Sequence, residues 1–335
     1  MKKFLALALA LAMVLSLAAC GAKKEEAVAA APKDEYPSKA VKIIIPFGAG
    51  GSTDMGGRVI AACLPQFLPG NYVVENQAGG SAIPGTVAVL NEKADGYTLG
   101  YNWYASFNFR PQFMQTNYTM DDFKMICGMT IQRNTLFIRP DDKRFSDVDS
   151  LVAYAKAHPG ELNFSCGAAN SWQLLITLGF LNAYGIADKV VEVPFTSANE
   201  SSTQLLAGNI DFALLETATF TSALSAGTIK PICSFEGDRN TAAHKDCPTI
   251  GELGHPEVAN VAENRLVICA PKDVPQDVCD KLSKACEQMC KDENFIILSE
   301  KCQQVIEFKT GDEVTKQLKD GMDTVNNLLK QAGMK

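Results

Sequence analysis

Val41-Lys42-Ile43-Ile44-Ile45-Pro46-Phe47-Gly48-Ala49-Gly50-Gly51-Ser52-Thr53-Asp54 is a β-branched run that turns through small residues into a helix start. Val41–Ile45 is too uniformly apolar to leave a wet face, which predicts a strand buried in a parallel sheet. Glycine lets backbone N–H groups approach a ligand, and a helix N-terminus adds partial positive charge, so the loop suits an anion. No Lys-Ser/Thr follows the glycines, which excludes a P-loop, and the spacing misses the dinucleotide fingerprint. A capped tight turn with Ser52 or Thr53 as N-cap accounts for the same residues without a ligand. The stretch Asn76-Gln77-Ala78-Gly79-Gly80-Ser81-Ala82 repeats the device after a second strand. Two such loops in neighbouring βα units can converge on one anion.

Outward from these loops, strand-like runs at 41–45, 72–75, 97–101, 135–138, 190–193, 211–215, 229–235 and 265–270 alternate with helical patterns near 53–66, 83–91, 147–157, 172–184, 199–207 and 217–225. The alternation predicts an α/β protein with parallel sheets covered by helices, whose ligands sit at strand ends. Two further helical stretches follow at about 275–302 and 312–332, with Pro275 and Gly311 as start signals.

Lys2 and Lys3 precede a charge-free run from Phe4 to Leu17, a secretory-signal pattern too short for a comfortable membrane span. Leu17-Ala18-Ala19-Cys20-Gly21 then reads as a bacterial lipobox, with Cys20 the lipidated residue; an ordinary cysteine after a plain signal peptide is the alternative. Two acyl chains would make a stable anchor. Residues 22–33, AKKEEAVAAAPK, carry no aromatic group and read as tether. Removing residues 1–19 takes two of the 31 basic residues and none of the 38 acidic ones, moving the formal charge from −7 to −9. This argues against nucleic-acid or anionic-lipid binding.

About 300 residues remain, enough for two ordinary cores without a disulfide framework. Of the cysteines after Cys20, 279, 286 and 290 share a helix face and read as a buried stripe, while Cys233 and Cys247 flank a polar loop that a bridge could close. No CxxC spacing occurs and His158, His244 and His255 are scattered, so no metal site is expected. Nor is any cofactor expected.

The stretches YPSKAVKIIIPFGAGGSTDMGGRVIA, VVENQAGGSAIPGTVAV, ADGYTLGY, VPFTSANESSTQLLAGNIDFAL, CPTIGELG and APKDVP, in that order and spacing, resemble the substrate-binding component of tripartite tricarboxylate transporters, the TctC or Bug family. The resemblance runs from about Tyr36 to the C-terminus. With the signal peptide over 1–19 and the tether over 20–35 set aside, it implies a type II periplasmic-binding-protein clamshell, one lobe from 36–137 plus 236–335 and a second from 138–235, with crossing strands near 133–140 and 228–240. It also implies a small carboxylate as ligand, held largely by loop N–H groups and ordered water, and integral-membrane transporter subunits as partners. The expected protein is an extracytoplasmic monomer, lipid-anchored to a bacterial membrane, that closes on its ligand by hinge motion.

Carried onto this sequence, the first-lobe site comprises Phe47, Gly48, Ala49, Gly50, Gly51, Ser52, Asp54, Gly79, Ser81 and Trp103, and the second-lobe site Ser165, Ala168, Asn170, Ser171 and Thr196. Asp54 fits helix capping or loop fixing better than acid–base work. Departures matter too. Ala168 and Asn170 stand where relatives carry glycines, Leu174 stands at a usual histidine, and Arg265 stands at a frequent tryptophan. Arg265 facing the cleft would be a bidentate carboxylate partner, against surface exposure or an ion pair elsewhere. Glu216 at the end of DFALL can meet a cationic group. Trp103 and Tyr104 can stack on a ring, core packing being the alternative for both. An enzyme would need a nucleophile with its base or a metal set, and no Gly-x-Ser-x-Gly, His-Glu-x-x-His or Cys-His pairing appears. A sensor presenting the liganded clamshell to a receptor or kinase would use the same closed form.

Overall fold

Two mixed β-sheets carry the architecture of the computed structural model, which describes residues 36–167, 171–195, 197–236, 244, 246–302, 304–331 and 335. The first contains β1 (Val41–Ile45), β2 (Tyr72–Asn76), β3 (Thr98–Trp103), β4 (Phe123–Gln132), β10 (Asn264–Pro271) and β11 (Val305–Thr310), in the order β11-β4-β10-β3-β1-β2. The second contains β5 (Asn134–Ile138), β6 (Leu162–Ser165), β7 (Val190–Glu192), β8 (Phe212–Glu216) and β9 (Lys230–Ser234), in the order β7-β6-β8-β5-β9.

The expectation of purely parallel sheets holds only where a helix makes the crossover. β1 pairs parallel with β2 and β3, the chain returning through α1 (Ser52–Cys63) and α2 (Ile83–Leu90). β6 pairs parallel with β7 and β8 around α6 (Trp172–Ala183) and α7 (Ala198–Ala207). By contrast β10 enters between β3 and β4 after the chain returns from the second sheet, and it runs antiparallel to both. Antiparallel pairing needs no crossover helix.

Register places the functional edge. In the parallel pair Ile45 lies opposite Asn76, so β1 and β2 deliver their glycine loops side by side. Trp103 opposite Leu266 and Gln132 opposite Asn264 lie along the same edge. In the second sheet Ser165, Glu216, Asn134 and Ser234 mark the corresponding edge.

Packing departs from the expected lobe boundaries. β5 belongs wholly to the second sheet, so the first change of sheet falls at Arg133 rather than after 137. The core of the second sheet also takes Ile250 and the helix α9 (Pro256–Ala262) through Val258, Ala259, Val261 and Ala262, all within the stretch expected in the first lobe. A further helix, α12 (Gly311–Gln331), joins both cores. Its buried positions 314, 318, 321, 325, 328 and 329 follow one amphipathic stripe. Val314 and Leu318 pack with Ile44, Tyr104 and Phe107 in the first core, and Val325, Leu328 and Leu329 with Phe164 and Phe180 in the second. At 1.5 Å per residue, 21 residues reach about 31 Å, which suits a helix laid along both lobes.

The stripe Cys279, Cys286 and Cys290 is buried on the helix α10 (Gln276–Met289) and the residue after it, as expected. Cys233 is a buried thiol and not half of a bridge to Cys247.

Candidate ligand-binding cleft

The first loop is pinned from below. Asp54, 2% exposed, accepts from the Gly50 N–H at 2.7 Å, from Arg58 Nε at 3.0 Å and from Asn76 Nδ2 at 2.9 Å. Asn76 Nδ2 also donates to the Phe47 carbonyl at 3.1 Å, tying the end of β2 to the loop after β1. Burial opposes ionisation of Asp54, but the bonds from Arg58, Gly50 and Asn76 outweigh it and hold the carboxyl below its ordinary range. Its acceptor capacity is therefore committed to the loop, as the loop-fixing reading of the sequence has it, and Asp54 is not aimed at a ligand. Gly48, Ala49, Gly50, Gly51 and Ser52 are exposed above it, and Phe47 is half-buried. The N-cap of α1 is Gly51, not Ser52 or Thr53, and no side chain caps the helix. Thr53 is engaged elsewhere: its hydroxyl accepts from Trp103 Nε1 at 3.1 Å.

The second loop carries four consecutive residues of positive φ: Gly79 (107°), Gly80 (52°), Ser81 (54°) and Ala82 (67°). Left-handed backbone costs a non-glycine residue roughly 1–2 kcal/mol, so Ser81 and Ala82 are held there by their surroundings. The Ala82 N–H donates to the Gly79 carbonyl at 3.0 Å, Thr86 Oγ1 donates to the Ala82 carbonyl at 2.7 Å, and Asn102 Nδ2 donates to Thr86 Oγ1 at 2.8 Å. Strain of this kind collects at ligand sites. A Cβ added at Gly50 or Gly79 would meet nothing within 4 Å, so substitution there costs backbone strain and fills open space.

On the second lobe, Ser165 is 0% exposed; its hydroxyl shares a 2.8 Å bond with Ser201 and accepts from the Gly167 N–H, which removes it from the expected ligand set. Ser171 caps α6 by accepting from the Leu174 N–H at 3.1 Å. Cys20, Ala168, Asn170 and Thr196 lie outside the described residues.

Arg265 does not face the cleft. Its side chain is 0% exposed; Nε and Nη2 bond Glu263 at 2.8 and 2.5 Å, Nη2 reaches Glu307 Oε1 at 2.6 Å, and Nη1 donates to the Glu307 carbonyl. Gly128 makes this burial feasible, because a Cβ there would stand 2.3 Å from Arg265 Cδ. Strand alternation aims residue 265 into the protein, a direction that sequence comparison by motif does not carry. Tyr104, 1% exposed, is likewise core, whereas Trp103 lines the cleft. Glu216 accepts from Gln132 Nε2 at 2.9 Å across the change of sheet, and burial pushes its carboxyl above the ordinary range. It lines a cavity of about 510 Å³ with Arg133, Thr217, Lys301 and Gln304.

A second cavity, about 430 Å³, brings Ser81 and Trp103 of the first lobe together with Ser171 and Trp172 of the second. Gln132 and Asn264 sit between them, joined by a 2.9 Å bond from Asn264 Nδ2 to Gln132 Oε1. These two and Arg110 were missed in the sequence. The signal for Gln132 was weak because β4, FKMICGMTIQ, mixes lysine, glycine and methionine and shows no clean strand period.

A family profile described as "Tripartite tricarboxylate transporter family receptor" matches residues 57–334. The chain belongs to this family. Among its relatives, Protein BugT of Bordetella pertussis is 29% identical over 250 residues, covering 71% of this chain and 72% of the relative. A UPF0065 protein of the TAR-I ttuE-ttuC' intergenic region of Agrobacterium vitis is 29% identical over 263 residues, covering 78% and 74%. A TctC solute-binding protein from Polaromonas superposes with a TM-score of 0.79 at 22% identity, covering 88% of this chain and 99% of that one. MatC from Rhodopseudomonas palustris, solved with bound malate, superposes with a TM-score of 0.64 at 20% identity, covering 87% and 100%. The two-lobed solute-binding fold is thereby established for this member of the tripartite tricarboxylate transporter receptors. Among its described residues no group of three His, Cys, Asp or Glu could hold a metal ion, and no helix is long and apolar enough to cross a membrane.

Proposed function

We propose that this receptor captures a small carboxylate between its two lobes and presents it, as a monomer outside the cytoplasm, to the membrane subunits of a tripartite transporter. The observation that carries the reading is the pair of glycine loops delivered to one sheet edge by the β1–β2 register, both held with their backbone exposed. Exposed N–H groups at a helix start favour an anion. Malate and adipate are bound by structurally similar proteins, MatC and an R. palustris protein solved with adipate, and small carboxylates are accordingly the ligands to try first. Contacts from both lobes supply the differential affinity that closure requires. The role is binding and release, without covalent chemistry.

A thermal-shift screen of small carboxylates tests the reading. Ligand at about 100 Kd raises folding stability by about 2.7 kcal/mol, visible as an upward shift in Tm. No shift with any carboxylate at millimolar concentration would overturn it.

The anchor is a separate element of the proposal, supported by the lipobox sequence at residues 17–21. Cys20→Ser releases the protein from membranes or leaves an uncleaved precursor, checked by fractionation and intact mass. Unchanged fractionation with no acyl mass on the mature N-terminus sinks the lipoprotein reading.

A further inference from the structure

Arg110 opens the helix α4 (Arg110–Phe113) and is the only charged side chain lining the 430 Å³ cavity among the described residues. Its Nη1 donates to Ser106 Oγ at 2.8 Å, and no carboxylate lies within ion-pair distance among the described residues. Most other described arginines, Arg133 excepted, are matched: Arg265 by Glu263 and Glu307, Arg144 by Asp142 and Asp211, and Arg58 by Asp54. Burial, acting without an acid nearby, lowers the pKa of Arg110. A largely buried cation with no counter-ion is costly and leaves a place for an anion.

In the same lining, Trp172 is 5% exposed and its indole Nε1 has no acceptor among the described residues. The remaining walls mix aromatic rings with the amides of Gln132, Gln173 and Asn264. Phe109 meets Trp172 edge to face at 5.5 Å between centroids and Phe113 at 4.6 Å, and Trp103 is fixed by its bond to Thr53. One cation, one unused N–H donor and a set of aromatic faces describe a particular ligand chemistry. A short dicarboxylate would leave its second charge to amide and hydroxyl groups, with no second cation in the lining. An aromatic ring bearing a carboxylate would meet the guanidinium with its charge and the faces with its body.

Resting on the carboxylate-receptor reading, we infer that this cleft selects an aromatic carboxylate, with Arg110 as its charge partner and Trp172 Nε1 as a second donor.

The test uses the whole protein with benzoate as probe and malate and adipate as controls. The chain's two tryptophans, Trp103 and Trp172, both line the cavity, so intrinsic fluorescence reports on its occupancy. Benzoate is expected to change that fluorescence saturably and to bind more tightly than either aliphatic acid. Arg110→Met should weaken benzoate about ten- to a hundredfold, the range for losing a hydrogen bond to a charged group. Should Arg110→Met fail to fold, Trp172→Phe decides: it deletes Nε1, keeps a ring, and should weaken benzoate several-fold. Malate or adipate binding more tightly than benzoate, or benzoate affinity unchanged by the decisive variant, overturns the inference while leaving the carboxylate receptor standing. Absence of binding by all three acids and by the rest of the carboxylate screen removes both.

Discussion

Arg265→Met is expected to lower the free energy of unfolding by about 3–5 kcal/mol, the range for breaking a buried ion pair from one side. The reason is what remains. Glu263 and Glu307 converge on the guanidinium, and without it two carboxylates face each other with Lys309, 3.1 Å from Glu263, left to offset them. Urea denaturation of the two proteins measures the difference, and a loss below 1 kcal/mol would show the network to be dispensable. The same cluster sets a pH dependence. Burial works against ionisation of Glu263, yet Arg265 and Lys309 overcome it and hold its pKa below the ordinary 4.5. A depressed carboxylate contributes stability that is present above its unfolded value and lost as pH falls through its folded one. Acid should therefore destabilise the wild type through this cluster below about pH 4.5.

Asp54→Ala is expected to cost about 2–3 kcal/mol of stability and to weaken carboxylate binding at least tenfold. It removes the buried acceptor shared by the Gly50 N–H, Arg58 and Asn76, three part-buried hydrogen bonds of about 1 kcal/mol each. Gly50 sits at φ 81°, a conformation with little to hold it once that bond is gone. Asp54→Asn should fall between, since its amide offers one acceptor oxygen where the carboxylate offers two. Melting curves and ligand titration read the two effects separately. Binding unchanged in a folded Asp54→Ala protein would place the ligand away from the first loop.

Local pattern carried the strands that are apolar throughout and the loops that are rich in glycine. VKIII and its loop were legible because burial on both faces and tight turning each restrict the allowed residues. β4 and β11 were not. β11, VIEFKT, is half-buried along most of its length, and its place beside β4 follows from pairing with residues some 180 positions earlier. Among candidate site residues, those of the two glycine loops from Gly48 to Ser52 and at Gly79 and Ser81 are exposed, while Ser165 and Arg265 are buried. Which way a strand residue points depends on register, and register is fixed by partners that a single stretch of sequence does not contain. Arg110 was invisible for a related reason: an arginine without an acid is recognised only when its surroundings are known.

The helix at 311–331 has a bearing on the order in which this protein can be made. The first core begins at Ile44 and needs Val314 and Leu318; the second begins at Ala105 and needs Val325, Leu328 and Leu329. A nascent chain that has not yet reached residue 311 can complete neither. Closing such distant contacts is slow, since loop entropy is lost before the contacts repay it. Completion of either core therefore waits for this helix, and both lobes receive their final side chains from the same few turns.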